Sequence, residues 1–351
     1  MRMSMRALVL TEIGRLEVQP RPQLPPGANE ILIRVVATGI CGSDIHGFAG
    51  DTGRRFPGQV MGHETSGHIE QVGSAVDADE YPLGALVTFN PGLACGQCDA
   101  CRAHNEPACA NFRVIGVDPS IQASFAEFIT VPARNVVRLA DSLRPDLGAL
   151  VEPLAVGFHA ARRGGCAGAD RVVVIGGGPI GQACFLAARR LGAEHIVVTE
   201  INSSRRALID RLSGIAVDPA SDVLVEQVQQ QLGGPADLVL DAVGSSDSLA
   251  DAVKLSTKGS RVVLVGMNSP RLALNAYDWS TQERSIIGSF CYTSDDFVAT
   301  AEWAGSHGDL LAQLVDGHVD LDGAAAAFAG LAGGTVDASK VLVCPQRTEK
   351  P

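Results

Sequence analysis

The chain is short of positive charge: 28 Lys and Arg stand against 39 Asp and Glu, a net charge of −11 at pH 7. A nucleic-acid binder needs a cationic surface to displace counterions from phosphates, and no basic run of useful length is present. Nucleic acid and anionic membrane are thereby excluded as partners. The chain also lacks a long unbroken apolar run. The longest, Val172 to Ala188, is interrupted by Gly176, Gly177, Gly178, Pro179 and Gly181, and reads as strand, turn and helix rather than a membrane span. The opening, Met1 to Gly14, offers only Ala7-Leu8-Val9-Leu10, too short for a signal-peptide core. Repeats and low-complexity tracts are missing too; Ala324–Ala327 is an alanine-rich helix. A hydrophobic content of 46% with 19% charged residues excludes disorder as the main state. At roughly 150 residues per domain, 351 residues predict two domains.

Two rhythms divide the chain. Up to about Arg138, short β-branched runs sit between Gly and Pro punctuation, as in Glu30–Val36, Ala85–Phe89 and Phe125–Val131. They predict an irregular β-rich domain. The prolines at 20, 22, 25 and 26 read as a surface connection. After Arg171, strand runs at Val172–Ile175, Ile196–Thr199, Leu238–Leu240, Val262–Val265 and Ile286–Ile287 alternate with helical patterns. Those patterns cover Ile180–Leu191, Ser203–Leu212, Asp222–Leu232 and Ser248–Leu255. Such alternation predicts a doubly wound parallel sheet of the Rossmann type, covered by helices on both faces. The fold class is therefore α/β with a β-rich companion.

The first of these strands runs into Gly176-Gly177-Gly178-Pro179-Ile180-Gly181, a G-x-G-x-x-G turn. Glycine is required there for the turn, for close approach of a pyrophosphate and for helix–strand packing. The motif alone is weak. Its weight comes from Glu200, at the end of the second strand and nineteen residues after Gly181. A carboxylate there accepts both ribose hydroxyls and repels a 2′-phosphate, so the pattern predicts NAD. Arg205 and Arg206 could lie along the adenine; solvated helix surface is the other reading for Arg206.

Four of the nine cysteines crowd into fifteen residues as C-x2-C-x2-C-x7-C: Cys95, Cys98, Cys101 and Cys109. Four thiolates converging from a Gly- and Pro-rich loop suit a closed tetrahedral zinc. The iron–sulfur alternative expects C-x3-C-P at the end, which this chain does not have. A chain without a secretory core is expected to keep such thiols reduced in the cytoplasm. Cys166, Cys184, Cys291 and Cys344 read as ordinary thiols.

A second constellation is Cys41-Gly42-Ser43-Asp44-Ile45-His46 with Gly62-His63-Glu64 and, far along the chain, Glu152-Pro153-Leu154. Together with the cysteine loop it resembles the zinc-dependent medium-chain alcohol dehydrogenases, and within them the polyol group of sorbitol, butanediol and threonine dehydrogenases. The resemblance runs from the proline-rich opening to Thr281–Phe290. It implies a GroES-like catalytic domain over 1–153 and 291–351, with an NAD-binding domain over 154–290. It implies one catalytic and one structural zinc per chain. Cys41, His63 and Glu64 match ligands of the catalytic zinc, and Glu152 a carboxylate that binds it directly or through water. Ser43 and His46 match a hydroxyl–imidazole pair that passes the alcohol proton outward, while Asp44 braces the loop. Gly176, Gly178, Pro179, Ile180, Gly181, Glu200, Arg205, Val265, Gly266, Met267, Ser289 and Phe290 complete the cofactor-binding set.

The reading is thus a zinc- and NAD-dependent enzyme that oxidises a secondary alcohol, a vicinal diol or polyol, to the ketone, in a homodimer or homotetramer. Two alternatives stand beside it: a metal-free NADPH-dependent quinone or enone reductase of the same superfamily, and a non-catalytic nucleotide-binding protein. Two departures from the sorbitol enzymes concern the substrate. Gly47 stands where they carry an aromatic residue, and Cys291-Tyr292 where they carry Arg-Tyr. Both changes predict a wider pocket with fewer donors, favouring butanediol-like or cyclic diols over sorbitol.

Overall fold

The computed structural model describes residues 4–51 and 53–346. Residues 1–3, which open the stretch read against a signal peptide, and 347–351, which close the expected catalytic domain, lie outside the described residues. The chain forms two compact units. One runs to Glu152 and resumes at Thr293; the other is Pro153–Tyr292.

The second unit carries six parallel strands in the spatial order Ile215–Val217, His195–Thr199, Arg171–Ile175, Ala236–Asp241, Ser256–Leu264, Ser285–Gly288. Sequence order therefore reverses between Arg171–Ile175 and Ala236–Asp241, the switch point at which doubly wound sheets bind ligands. The inner strands are apolar on both faces because helices cover both: Val172, Val173, Val174, Val197, Val239 and Val262 are all buried. The three-residue strand Ile215–Val217 goes unread in the sequence, being too short to show a period.

In the first unit a seven-stranded sheet is built around Glu30–Gly39. This strand pairs antiparallel with Glu64–Val72, with Phe128–Pro132 and with the C-terminal strand Val341–Cys344. A separate hairpin, Ser4–Glu12 with Arg15–Pro22, holds Pro20 and Pro22 in a strand rather than a connection. Proline is tolerated there because Arg15–Pro22 pairs only with Ser4–Glu12 and is an edge strand. The C-terminal helix Leu321–Ala332 buries Leu321, Ala324 and Phe328 in the core beneath. Phe328 meets Phe125 edge-on at 5.4 Å and Phe48 at 5.8 Å. Phe48 belongs to the helix Gly42–Ala49, so the aromatic contact fixes the element that carries Ser43 and His46.

The glycine turn shows why its third glycine is obligatory. A Cβ on Gly181 would stand 1.7 Å from the Gly176 carbonyl oxygen, which is backbone and cannot step aside. Gly181→Ala is expected to destabilise the protein by about 1–3 kcal/mol, read as a lowered midpoint in urea unfolding.

Candidate metal and nucleotide sites

Strand register builds the first site. Gly39 pairs with Glu64, which sets Cys41 and His63 just past the ends of two neighbouring strands. Cys41 is the N-cap of the helix Gly42–Ala49. Gly62, at φ +101°, makes the turn before His63; a Cβ there would lie 2.9 Å from the Phe125 nitrogen. One ligand atom from each of Cys41, His63 and Glu64 falls within 4.8 Å of the others. Gly39 leaves room for the Glu64 carboxylate, whose Oε2 lies 2.1 Å from where a Cβ on Gly39 would sit.

Two cations that the sequence reading missed sit in this cluster. Lys340 is buried, and its Nζ donates to Glu64 Oε2 at 2.5 Å and to the Ile40 carbonyl at 3.3 Å. Burial works against its charge, but Glu64 and Cys41 outweigh that and hold its pKa above the ordinary lysine value. Arg55, also buried, donates from Nη2 to Asp44 Oδ1 at 3.2 Å. The other oxygen of Asp44 stands 3.7 Å from His63 Nδ1. Burial would likewise lower the His63 pKa, yet Asp44 and Cys41 raise it well above the usual imidazole range.

Glu152, buried in the first turn of the helix Val151–Arg163, lies outside the three-residue cluster. It is near enough to act electrostatically on His63 and Lys340. With a metal bound, Cys41 a thiolate and His63 a neutral ligand, the anions Cys41, Asp44, Glu64 and Glu152 would face the cations Arg55 and Lys340. Two negative charges would then be left for one divalent cation, which thiolate, imidazole and carboxylate donors suit. The residues therefore fit zinc.

Ser43 Oγ donates to Cys41 Sγ at 3.4 Å. His46, later in the same helix, is exposed, with Nδ1 3.3 Å from Asp51 Oδ2. The space beside Gly47 is already filled. A Cβ at Gly47 would lie 2.2 Å from Arg55 Cγ, so the missing aromatic ring opens no extra room there. That corrects the first of the two arguments for a wider pocket.

The sulfur atoms of Cys95, Cys98, Cys101 and Cys109 lie within 4.8 Å of one another, with no disulfide among them. Cys98 and Cys101 approach to 3.5 Å, Cys95 and Cys101 to 3.9 Å. Backbone N–H groups of Gln97 and Cys98 bring the Cys95 thiol down to about 6, while burial and Cys98 push Cys101 up to about 12. Four thiols this close cannot all ionise without a cation between them, which also fits zinc.

In the other unit, Gly178 caps the helix Pro179–Arg190, whose first-turn N–H groups have no partner within the helix. Gly176 takes φ +89°. Glu200 is buried, and its two oxygens accept from the Gly177 N–H at 2.6 Å and the Asn202 N–H at 2.8 Å. Arg205 lies beside the turn: Nη1 is 3.6 Å from where a Gly178 Cβ would be, and its buried Nε has no hydrogen-bond partner. Arg206 is half-buried. It donates to the Glu200 and Ile201 carbonyls at 2.7 and 2.8 Å and pairs with Asp218.

Asp241 is a further residue missed in the sequence. Fully buried at the end of its strand, it accepts from the N–H groups of Val243 and Gly244 at 2.9 and 3.0 Å and from Ser248 Oγ at 2.8 Å. Its carbonyl accepts from Val265 and Gly266, so one residue ties together two loops at the carboxyl end of the sheet. An acid closing the apolar run Leu238-Val239-Leu240 was the available signal. Of the remaining expected contacts, Pro179 and Ile180 open the helix half-buried, Val265 is buried, Ser289 Oγ is buried without a hydrogen-bond partner, and Met267 and Phe290 are exposed.

A glycine-turn nucleotide sheet and a β-rich unit with two metal-type clusters together define a metal- and nucleotide-dependent oxidoreductase. Comparison with known proteins agrees. Residues 27–141 match the alcohol dehydrogenase GroES-like domain, and residues 179–306 the zinc-binding dehydrogenase family. L-galactonate-5-dehydrogenase of Escherichia coli K12 is 33% identical over 296 residues, covering 84% of this chain and 86% of that protein. Sorbitol dehydrogenase of Arabidopsis thaliana is 30% identical over 293 residues, covering 81% and 79%. Among solved structures, 2R,3R-butanediol dehydrogenase from Bacillus subtilis superposes with a TM-score of 0.87 at 26% identity, covering 97% and 100%. The chain belongs to the zinc-dependent medium-chain alcohol dehydrogenases, in their polyol group.

Metal analysis of the purified protein is expected to find about two zinc ions per chain, one in each cluster. Cys109→Ser should release one and leave the other, because the clusters share no ligand; a native content of one zinc, or iron instead, would contradict this.

Proposed function

We propose that the protein oxidises a secondary alcohol, a vicinal diol or polyol, to the ketone, with NAD as the hydride acceptor and zinc at Cys41, His63 and Glu64. The observation that carries this reading is the meeting of thiol, imidazole and carboxylate donors from Cys41, His63 and Glu64 within 4.8 Å of one another. A metal-free reductase would have no reason to bring these donors together, since burying an uncompensated charge costs on the order of several kcal/mol. When bound, zinc supplies a Lewis acid that lowers the pKa of the alcohol, and the dinucleotide supplies the carbon that takes the hydride.

The chain's own groups do the rest. Ser43 takes the alcohol proton as its own hydroxyl proton passes on towards His46; that hydroxyl, which donates to Cys41 at 3.4 Å, is held near the metal ligands. His46, exposed to solvent in the same helix, delivers the proton outward. The N-terminus of the helix Pro179–Arg190 receives the pyrophosphate. Glu200, fixed by two backbone N–H groups, sets a negative charge where a 2′-phosphate would have to stand.

The named relatives act on sugar acids and sugar alcohols, as L-galactonate-5-dehydrogenase and sorbitol dehydrogenase state. With the space beside Gly47 filled, we draw the substrate class as hydroxylated chains in general, without a preference for small diols. We further propose a cytoplasmic homo-oligomer. Among the described residues no helix is long and apolar enough to cross a membrane, and no disulfide is formed.

Two variants separate the roles. Glu200→Ala is expected to weaken NAD by about tenfold, or roughly 1.4 kcal/mol, and to narrow the preference over NADP; wild-type protein using both cofactors equally would refute the assignment. His46→Ala should keep both zinc ions and lose turnover most at low pH, where hydroxide is too scarce to take the proton directly. Loss of zinc in that variant would make His46 a ligand instead.

A further inference from the structure

We propose that Arg55 is a positioning residue for the catalytic metal, its stem filling the space left open by Gly47 and its guanidinium acting through Asp44 on the His63 imidazole. The proposal rests on the reading of Cys41, His63 and Glu64 as a zinc site. Three buried polar atoms meet around Asp44 without a hydrogen-bond partner: Asp44 Oδ2, His63 Nδ1 and Arg55 Nε. Asp44 is fully buried, and its carboxylate is shared between the two neighbours, Oδ1 at 3.2 Å from Arg55 and Oδ2 at 3.7 Å from His63.

An acceptor on the Nδ1 side keeps the ring proton on that nitrogen and leaves the Nε2 lone pair to the metal. A buried carboxylate facing only an imidazole would be costly to keep ionised. Arg55 supplies the compensating charge and, through its planar fork, a fixed direction. The guanidinium can reach Asp44 from inside the protein because residue 47 has no side chain. A Cβ there would fall 2.2 Å from Arg55 Cγ and 3.3 Å from its Cβ and Cδ, mid-stem atoms of a buried residue that cannot swing into solvent. Gly47 and Arg55 are therefore one device. A side chain at 47 would expel the stem that holds the charge.

The test follows zinc at each site by equilibrium competition with a chelator, on full-length protein. Arg55→Met is expected to weaken the zinc at Cys41, His63 and Glu64 by about 10–100-fold while the cysteine-loop zinc keeps its affinity. Arg55→Lys, which leaves a cation facing Asp44, should recover much of the loss. Gly47→Ala keeps every ionisable group and improves helix propensity, yet it should weaken the same zinc by displacing the Arg55 stem. In an Arg55→Met background it should add little. If Arg55→Met fails to fold, Gly47→Ala decides alone. Unchanged affinity at the first site in Gly47→Ala, or equal weakening at both sites, overturns the proposal. Wild-type protein with zinc only in the cysteine loop overturns the zinc-site reading itself, and the proposal with it.

Discussion

Charge buried around Cys41, His63 and Glu64 is the constraint on which the catalytic unit depends. Asp44, Arg55, His63, Glu64, Glu152 and Lys340 are all buried here, and an ion in such a place is tolerated only when its partners are fixed. That requirement explains features that otherwise look unrelated. Gly39 lacks a side chain because the Glu64 carboxylate occupies that space, and Gly62 turns through a left-handed conformation to deliver His63. The aromatic contacts of Phe328 hold the helix that begins at Cys41.

The nucleotide unit solves a different problem with backbone rather than charge. Its binding edge is organised by N–H groups that donate to carboxylates: Gly177 and Asn202 to Glu200, Val243 and Gly244 to Asp241. Burial raises the Asp241 pKa against those bonds, which mark how strongly the site relies on them. A loop held this way presents its own carbonyl and amide groups in fixed directions, as recognition of a ligand by backbone requires.

Legibility in the sequence followed distance along the chain. The glycine turn and the cysteine loop are local patterns, readable because their chemistry demands particular residues at short spacings, whereas the Cys41–His46 run takes its meaning only from the family resemblance it carries together with His63, Glu64 and Glu152. The strands and helices of the parallel sheet were readable for the same reason, their periods repeating within a dozen residues. What escaped were pairs. Lys340 and Glu64 lie 276 residues apart, so nothing near either predicts the other. Arg55 and Asp44 are only 11 apart, yet an arginine after a glycine-rich stretch reads as solvated surface. Gly47 was misread on the same account: a missing side chain suggests empty space, and here another residue had taken it.

The placement of Lys340 has a consequence for how the protein is made. The β-rich unit is interrupted by the whole nucleotide unit, and the strand that carries its counter-ion to Glu64 comes last. At about 5–20 residues per second, a ribosome delivers Lys340 tens of seconds after Glu64. Throughout that interval the nascent chain holds a carboxylate with no ammonium to meet it, in a sheet whose central strand still lacks one neighbour. The nucleotide unit can close on itself in the meantime, while the catalytic centre stays unfinished until the C-terminus arrives. A nascent chain stopped short of that strand would therefore leave the Glu64 carboxylate without its ammonium partner and the central strand of the sheet without one neighbour.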